Sequence, residues 1–112
     1  MSLLIFKSVV HYSMHVLAPG IIATRFFKSN WQQAWVLMLS TMLVDLDHLL
    51  AHPIFDPNRC SIGFHPLHSH LAIQIYVAVF LLAIYFKLSK TKVLFLGLCL
   101  HMLTDFQDCF WF

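Results

Sequence analysis

Glutamate is missing from this chain, and charge of either sign is scarce: the 112 residues hold five acids, all aspartate, and seven lysines and arginines. A formal net charge of +2, scattered along the chain, excludes the dense basic face that nucleic-acid binding requires. Glycine and proline are few, at three and four, and no repeat or low-complexity segment is visible. What remains is apolar. Hydrophobic residues make up 60% of the chain, with eleven phenylalanines, and the mean hydropathy is +0.77. One small domain has too little interior to hide that much apolar surface. Composition therefore predicts an integral membrane protein with lipid as its partner.

Four segments have the length and character expected of membrane helices, about residues 3–27, 31–50, 66–88 and 92–110. The fold expected is an all-α bundle of four transmembrane helices in one domain. The first segment carries His11, His15 and the Pro19-Gly20 pair and lacks a clean small-x-small cleavage site, so it reads as a retained helix with a proline kink. Lys28-Ser29-Asn30 and Ser89-Lys90-Thr91 read as tight turns. The longer middle loop contains Pro53, Pro57, Asn58 and Gly63. Pro66 suits a first helical turn. Trp31, Trp35 and Trp111 read as interface anchors.

In an up-down bundle the eight histidines and five aspartates all fall towards one face. His11 and His15 come from the first segment, and Asp45, Asp47 and His48 from the end of the second. His65, His68 and His70 open the third, while His101, Asp105 and Asp108 close the fourth. Arg25, Lys28, Lys87, Lys90 and Lys92 gather at the other end, against Lys7 and Arg59 on the histidine side. Basic loops stay cytoplasmic, which would turn the histidine face towards the periplasm of an inner-membrane protein.

The local spacings suit metal coordination. His11/His15 and His101/Asp105 are four apart, and Asp45/His48 three apart, so each pair shares one helix face. Asp47 points elsewhere, free to orient a ligand or join a second metal. Imidazole with carboxylate oxygen suits zinc first, with manganese, iron or nickel as alternatives, and the number of donors leaves room for one or two ions. Taken singly, a histidine in an apolar helix is more often a hydrogen-bonded core residue; convergence from four segments is what favours metal. His52 and Asp56 fit turn chemistry better, with Asp56-Pro57-Asn58 a turn sequence, and Asp108 reads as the end of the last helix. Cys99 reads as a core residue, whereas Cys60 and Cys109 either form a disulfide or remain two free thiols.

These motifs carry a resemblance. An early helical histidine, Asp45-Leu46-Asp47-His48, a histidine-rich helix opening and His101-Met102-Leu103-Thr104-Asp105 resemble the membrane-bound metal-dependent hydrolases of the LexA-regulated inner-membrane type. The whole chain, including the run from Asp56 to His68, resembles more closely a family of uncharacterised small bacterial membrane proteins. The hydrolase resemblance implies His11, Asp45, Asp47, His48, His65, His70, His101 and Asp105 as ligands or site residues. Pro66 stands where that group has arginine, leaving Arg59 to supply any anion contact. The function expected is a metal-dependent hydrolase acting on a lipid-like or phosphoester substrate, with Asp47 or Asp105 as base and Arg59 on an anionic headgroup. The alternative is a metal-binding membrane protein without catalysis.

Overall fold

Ser2 opens the first helix by accepting a hydrogen bond from the Ile5 backbone N–H, 3.2 Å away. The computed structural model describes residues 2–54, 56 and 59–111, apart from the Trp111 side chain. Helix α1 spans Leu3–Phe26, α2 Trp31–Leu39, α3 His70–Tyr85 and α4 Ser89–Asp108. After α2 the chain tightens into a 3₁₀ segment, Ser40–Leu50, and a short 3₁₀ turn, Pro66–His68, precedes α3. The turn expected at Pro57-Asn58 and the anchor expected at Trp111 lie outside the described residues.

The all-helical, four-helix expectation stands, but the transmembrane bundle does not. Among the described residues no helix is long and apolar enough to cross a membrane. The second expected span is a nine-residue α-helix continued by a 3₁₀ segment. Helix α3 has 16 residues, roughly 24 Å at 1.5 Å per residue against the ~30 Å of a hydrocarbon core. Helices α1 and α4 are long enough, but Lys7, His11, Ser13 and His15 interrupt the one, and Lys90, Lys92, His101, Asp105 and Asp108 the other. The orientation drawn from basic loops loses its premise with the spans. Much apolar surface stays on the outside, with Leu50, Tyr85 and Phe26 each more than three-quarters exposed.

Helix α4 packs against the other three helices. It buries Val93, Gly97, Leu98, His101, Met102, Thr104 and Asp105 along one side. At its basic end the core is small and apolar, built from Ala23, Ala34, Met38 and Val93. Trp31 and Trp35, expected as interface anchors, are partly buried and pack against this cluster, and Trp35 Nε1 donates to the Val16 carbonyl at 2.9 Å. Helix α1 continues through Pro19, which is buried. Arg25, Lys28, Lys90 and Lys92 surround one cavity at this end. The opposite end holds the histidines and aspartates, and a Cys60–Cys109 disulfide ties the middle loop there to the end of α4, with Cα atoms 4.9 Å apart.

Gly97 sets how closely α4 approaches α2. A Cβ there would lie 2.8 Å from Met38 Cα and 2.9 Å from Thr41 Cγ2, and backbone cannot yield as a flexible side chain can. Gly97→Ala is expected to destabilise the fold by about 1–2 kcal/mol net, overpacking outweighing the gain in helix propensity; an unchanged denaturant midpoint would show that the helices do not meet there. The cross-link spans 49 residues of sequence, so Cys60→Ser should cost about 2–4 kcal/mol. Alkylation of native, unreduced protein should modify Cys99 alone.

Candidate metal centre

The 3₁₀ geometry of Ser40–Leu50 decides where its acids point. At three residues per turn, Asp45 and His48 lie one above the other while Asp47 faces a different side. Asp47 is buried, at 4% exposure. Its Oδ2 accepts from the Leu67 N–H at 2.9 Å and from His68 Nδ1 at 2.8 Å. That second bond fixes His68 with its Nδ1 protonated and its Nε2 aimed inward. A carboxylate behind an imidazole in this way is the usual support for a metal-ligating histidine.

Four atoms meet in front of it. His68 Nε2 lies 3.2 Å from Asp45 Oδ1, 2.9 Å from Asp105 Oδ2 and 3.4 Å from His101 Nε2. His101 Nε2 in turn lies 3.1 Å from Asp45 Oδ1 and 3.2 Å from Asp105 Oδ2. With Nδ1–H of His68 given to Asp47, a neutral His68 would present a lone pair to two carboxylates and a second ring nitrogen. Such a cluster needs positive charge at its centre, supplied either by protons or by a cation. The separations fit a cation: a tetrahedral ion bonded at about 2.0–2.1 Å holds its ligand atoms about 3.3–3.4 Å apart.

The titration behaviour of the metal-free cluster expresses the same demand. Burial disfavours the His68 imidazolium, but hydrogen bonds to Asp105, Asp45 and Asp47 outweigh it and raise the pKa to about 10. Burial likewise opposes protonation of His101, and hydrogen bonds to Asp105 and Asp45 raise it to about 8. Burial works against the Asp45 and Asp105 carboxylates, yet the facing imidazoles hold both well below the ordinary carboxylate range.

Asp105 reaches a second group with its other oxygen. Asp105 Oδ1 lies 3.0 Å from His15 Nε2 and 3.7 Å from His11 Nε2. The three residues offer ligand atoms within 4.8 Å of one another. His11 Nδ1 pairs with the Asp108 carboxylate, repeating the support that Asp47 gives His68. Burial lowers the pKa of His15, with the Asp105 hydrogen bond opposing, so its ring favours the neutral, ligating form. His11 and Asp105 of this group line a cavity of about 150 Å³ together with Lys7, Tyr12, Arg59 and Ser61. The Arg59 guanidinium is held over the Phe64 ring, 4.7 Å from its centroid, and donates to the Ile54 carbonyl at 2.9 Å.

Of the ten histidines and aspartates singled out as ligands, the fold gathers nine into three groups. Asp45, His68, His101 and Asp105 form one; His11, His15 and Asp105 a second; Asp47, His48 and His65 a third. His70 joins none and is exposed at the start of α3. Asp47, expected as a base, has both carboxylate oxygens engaged, Oδ2 as above and Oδ1 with His48 Nδ1 at 3.0 Å. Asp108, read from the sequence as a helix end, belongs to the site through His11, and its spacing of three from Asp105 was the available signal. Lys7, one helical turn before His11 and not among the expected site residues, lines the same cavity.

The class defined by fold and site is a four-helix bundle with a buried histidine–aspartate cluster at one end. Residues 5–112 match the family of unknown function DUF6122, and the chain belongs to that family. Comparison with curated proteins and with solved structures gave no match.

Raised histidine pKa values stabilise a fold below their ordinary value of 6.5 and lose that contribution as pH climbs through the folded values. Metal-free protein should therefore lose stability between pH 6.5 and 10, through about 8 for His101 and about 10 for His68. It should also weaken below pH 3.8 as Asp45 and Asp105 are forced to protonate. Melting curves across pH check this, and a divalent ion should remove the alkaline loss by taking the place of the protons. A flat alkaline limb in metal-free protein would contradict the convergence.

Proposed function

We propose that this protein is a two-ion, metal-dependent hydrolase of phosphoesters, with zinc the best match to its imidazole and carboxylate donors. The observation that carries the reading is the division of Asp105 between two groups, Oδ2 towards His68 and His101, Oδ1 towards His15 and His11. A bridging carboxylate of this kind is how two-ion hydrolytic centres hold their ions a few ångströms apart.

The two positions differ in openness. Asp45, His68, His101 and Asp105 supply four donors and can fill a tetrahedral shell. His11, His15 and Asp105 supply three, leaving a place for water or substrate on the cavity side, as hydrolytic centres do. Divalent ions there would supply Lewis acidity, activating water and polarising the phosphoryl group. The chain's own residues supply the rest. Asp47 and Asp108 hold the tautomers of His68 and His11, while Lys7 and Arg59, both lining the cavity, match an anionic ester. Leu4 and Tyr12, each 53% exposed, also line it and suit an apolar substituent, so an amphiphilic, lipid-like phosphoester fits best. The resemblance of the motif order to metal-dependent hydrolases points the same way.

The four-donor position also favours a second reading, a metal site that staples the bundle without catalysis. Hydrolysis of bis(p-nitrophenyl) phosphate by zinc-loaded protein separates the two. The hydrolase reading expects Asp105→Asn and His15→Gln to lower kcat by about 100-fold or more, and Arg59→Ala to act mainly on KM. Zinc bound tightly with no turnover above the Asp105→Asn background would leave the structural role.

A further inference from the structure

The third group, Asp47, His48 and His65, lies outside both positions just described. Its three residues offer ligand atoms within 4.8 Å of one another. Asp47 Oδ1 faces His48 Nδ1 at 3.0 Å, while Oδ2 is occupied by His68 and Leu67. His65 stacks on His48, with ring centroids 3.9 Å apart and an interplanar angle of 27°.

A network of hydrogen bonds accounts for part of this arrangement. His48 can donate from Nδ1 to Asp47 and meet the Ser61 hydroxyl, 3.4 Å from its Nε2. It does not account for His65. That side chain is 2% exposed, and its Nε2 has no hydrogen-bond partner among the described residues. A buried ring nitrogen left unpaired is costly and rare. Beside a second imidazole and a buried carboxylate, it completes a donor set of two histidines and one aspartate, a set that divalent transition-metal ions accept with positions to spare.

We infer that Asp47, His48 and His65 form a third divalent-cation site, separate from the two ions that share Asp105. The inference rests on the two-ion reading for its functional meaning. His48 and His65 line a cavity of about 300 Å³ together with Leu4, Ser8, Tyr12, Asp56, Arg59 and Ser61. Those six residues also line the cavity that reaches His11, Asp105 and Asp108. The two hollows are thus parts of one cleft, with His11 and Asp105 at one wall and His48 and His65 at another. Arg59 lines both hollows and supplies a guanidinium to an anionic ester lying in that cleft. Asp47 links the two centres: one oxygen positions His68 for the first, the other is a donor to the third.

Metal content decides the matter. Protein loaded with zinc, desalted and analysed by inductively coupled plasma mass spectrometry should hold three zinc ions per chain, and His65→Gln and His48→Gln should each hold two. Two ions in wild type and in both variants would overturn the third site and leave the two-ion reading standing. No tightly held zinc in the wild type would overturn both readings. Three ions retained in both variants would place the extra ion elsewhere and equally overturn the assignment. Circular dichroism establishes which variants are folded; should one fail, the other variant and the wild-type stoichiometry still decide.

Discussion

The site depends on one electrostatic constraint: two imidazole nitrogens and two carboxylate oxygens, from three different parts of the chain, point at a common centre that must hold positive charge. Carboxylates buried without compensation would be prohibitively costly. Here each is faced by ring nitrogens near 3 Å, and those nitrogens accept the required charge as protons or give their lone pairs to a cation. The same centre ties the 3₁₀ segment, the Pro66–His68 turn and α4 to one another. Metal binding and cohesion of this end of the bundle are therefore one problem.

The surrounding structure serves that centre through backbone geometry. The tightening of the second helix at Ser40 ends its α-helical part early, and it also sends Asp45 and Asp47 to different sides, one into the cluster and one behind it. Ser69 takes an extended conformation and caps α3 by accepting from the Ala72 N–H. His68, before it, thereby turns inward, while His70, after it, turns outward. Midway along α4, Gly97 lets the helix come against Met38, which brings His101 and Asp105 within reach of groups carried by the second segment. The disulfide closes the loop carrying Arg59 and Ser61 over the remaining side.

Much of the site was legible in the residue spacing. His11 with His15, and His101 with Asp105, share a helix face because any α-helix puts residues four apart together, and Asp45 with His48 shares one in a 3₁₀ helix too. The sequence was misleading where composition stood in for length. Sixty per cent hydrophobic residues suggested four spans, yet a composition does not record where a helix stops or how many ionisable residues interrupt it. Asp108 was missed for the opposite reason, because its partner His11 is on a helix nearly a whole chain away.

Sequence by itself determined the four helices, the kinds of donor available, the directions they share within each helix, and membership of a family of unknown function. Tertiary structure alone decided that none of the described helices can cross a membrane, that His68 and not His70 enters the cluster, and that Asp47 stands behind a ligand. It also decided that Asp105 turns its two oxygens to two different groups. The physical reason is range. Periodicity fixes directions over a few residues of one element, whereas coordination needs atoms from separate elements placed within a few tenths of an ångström, and packing sets those distances.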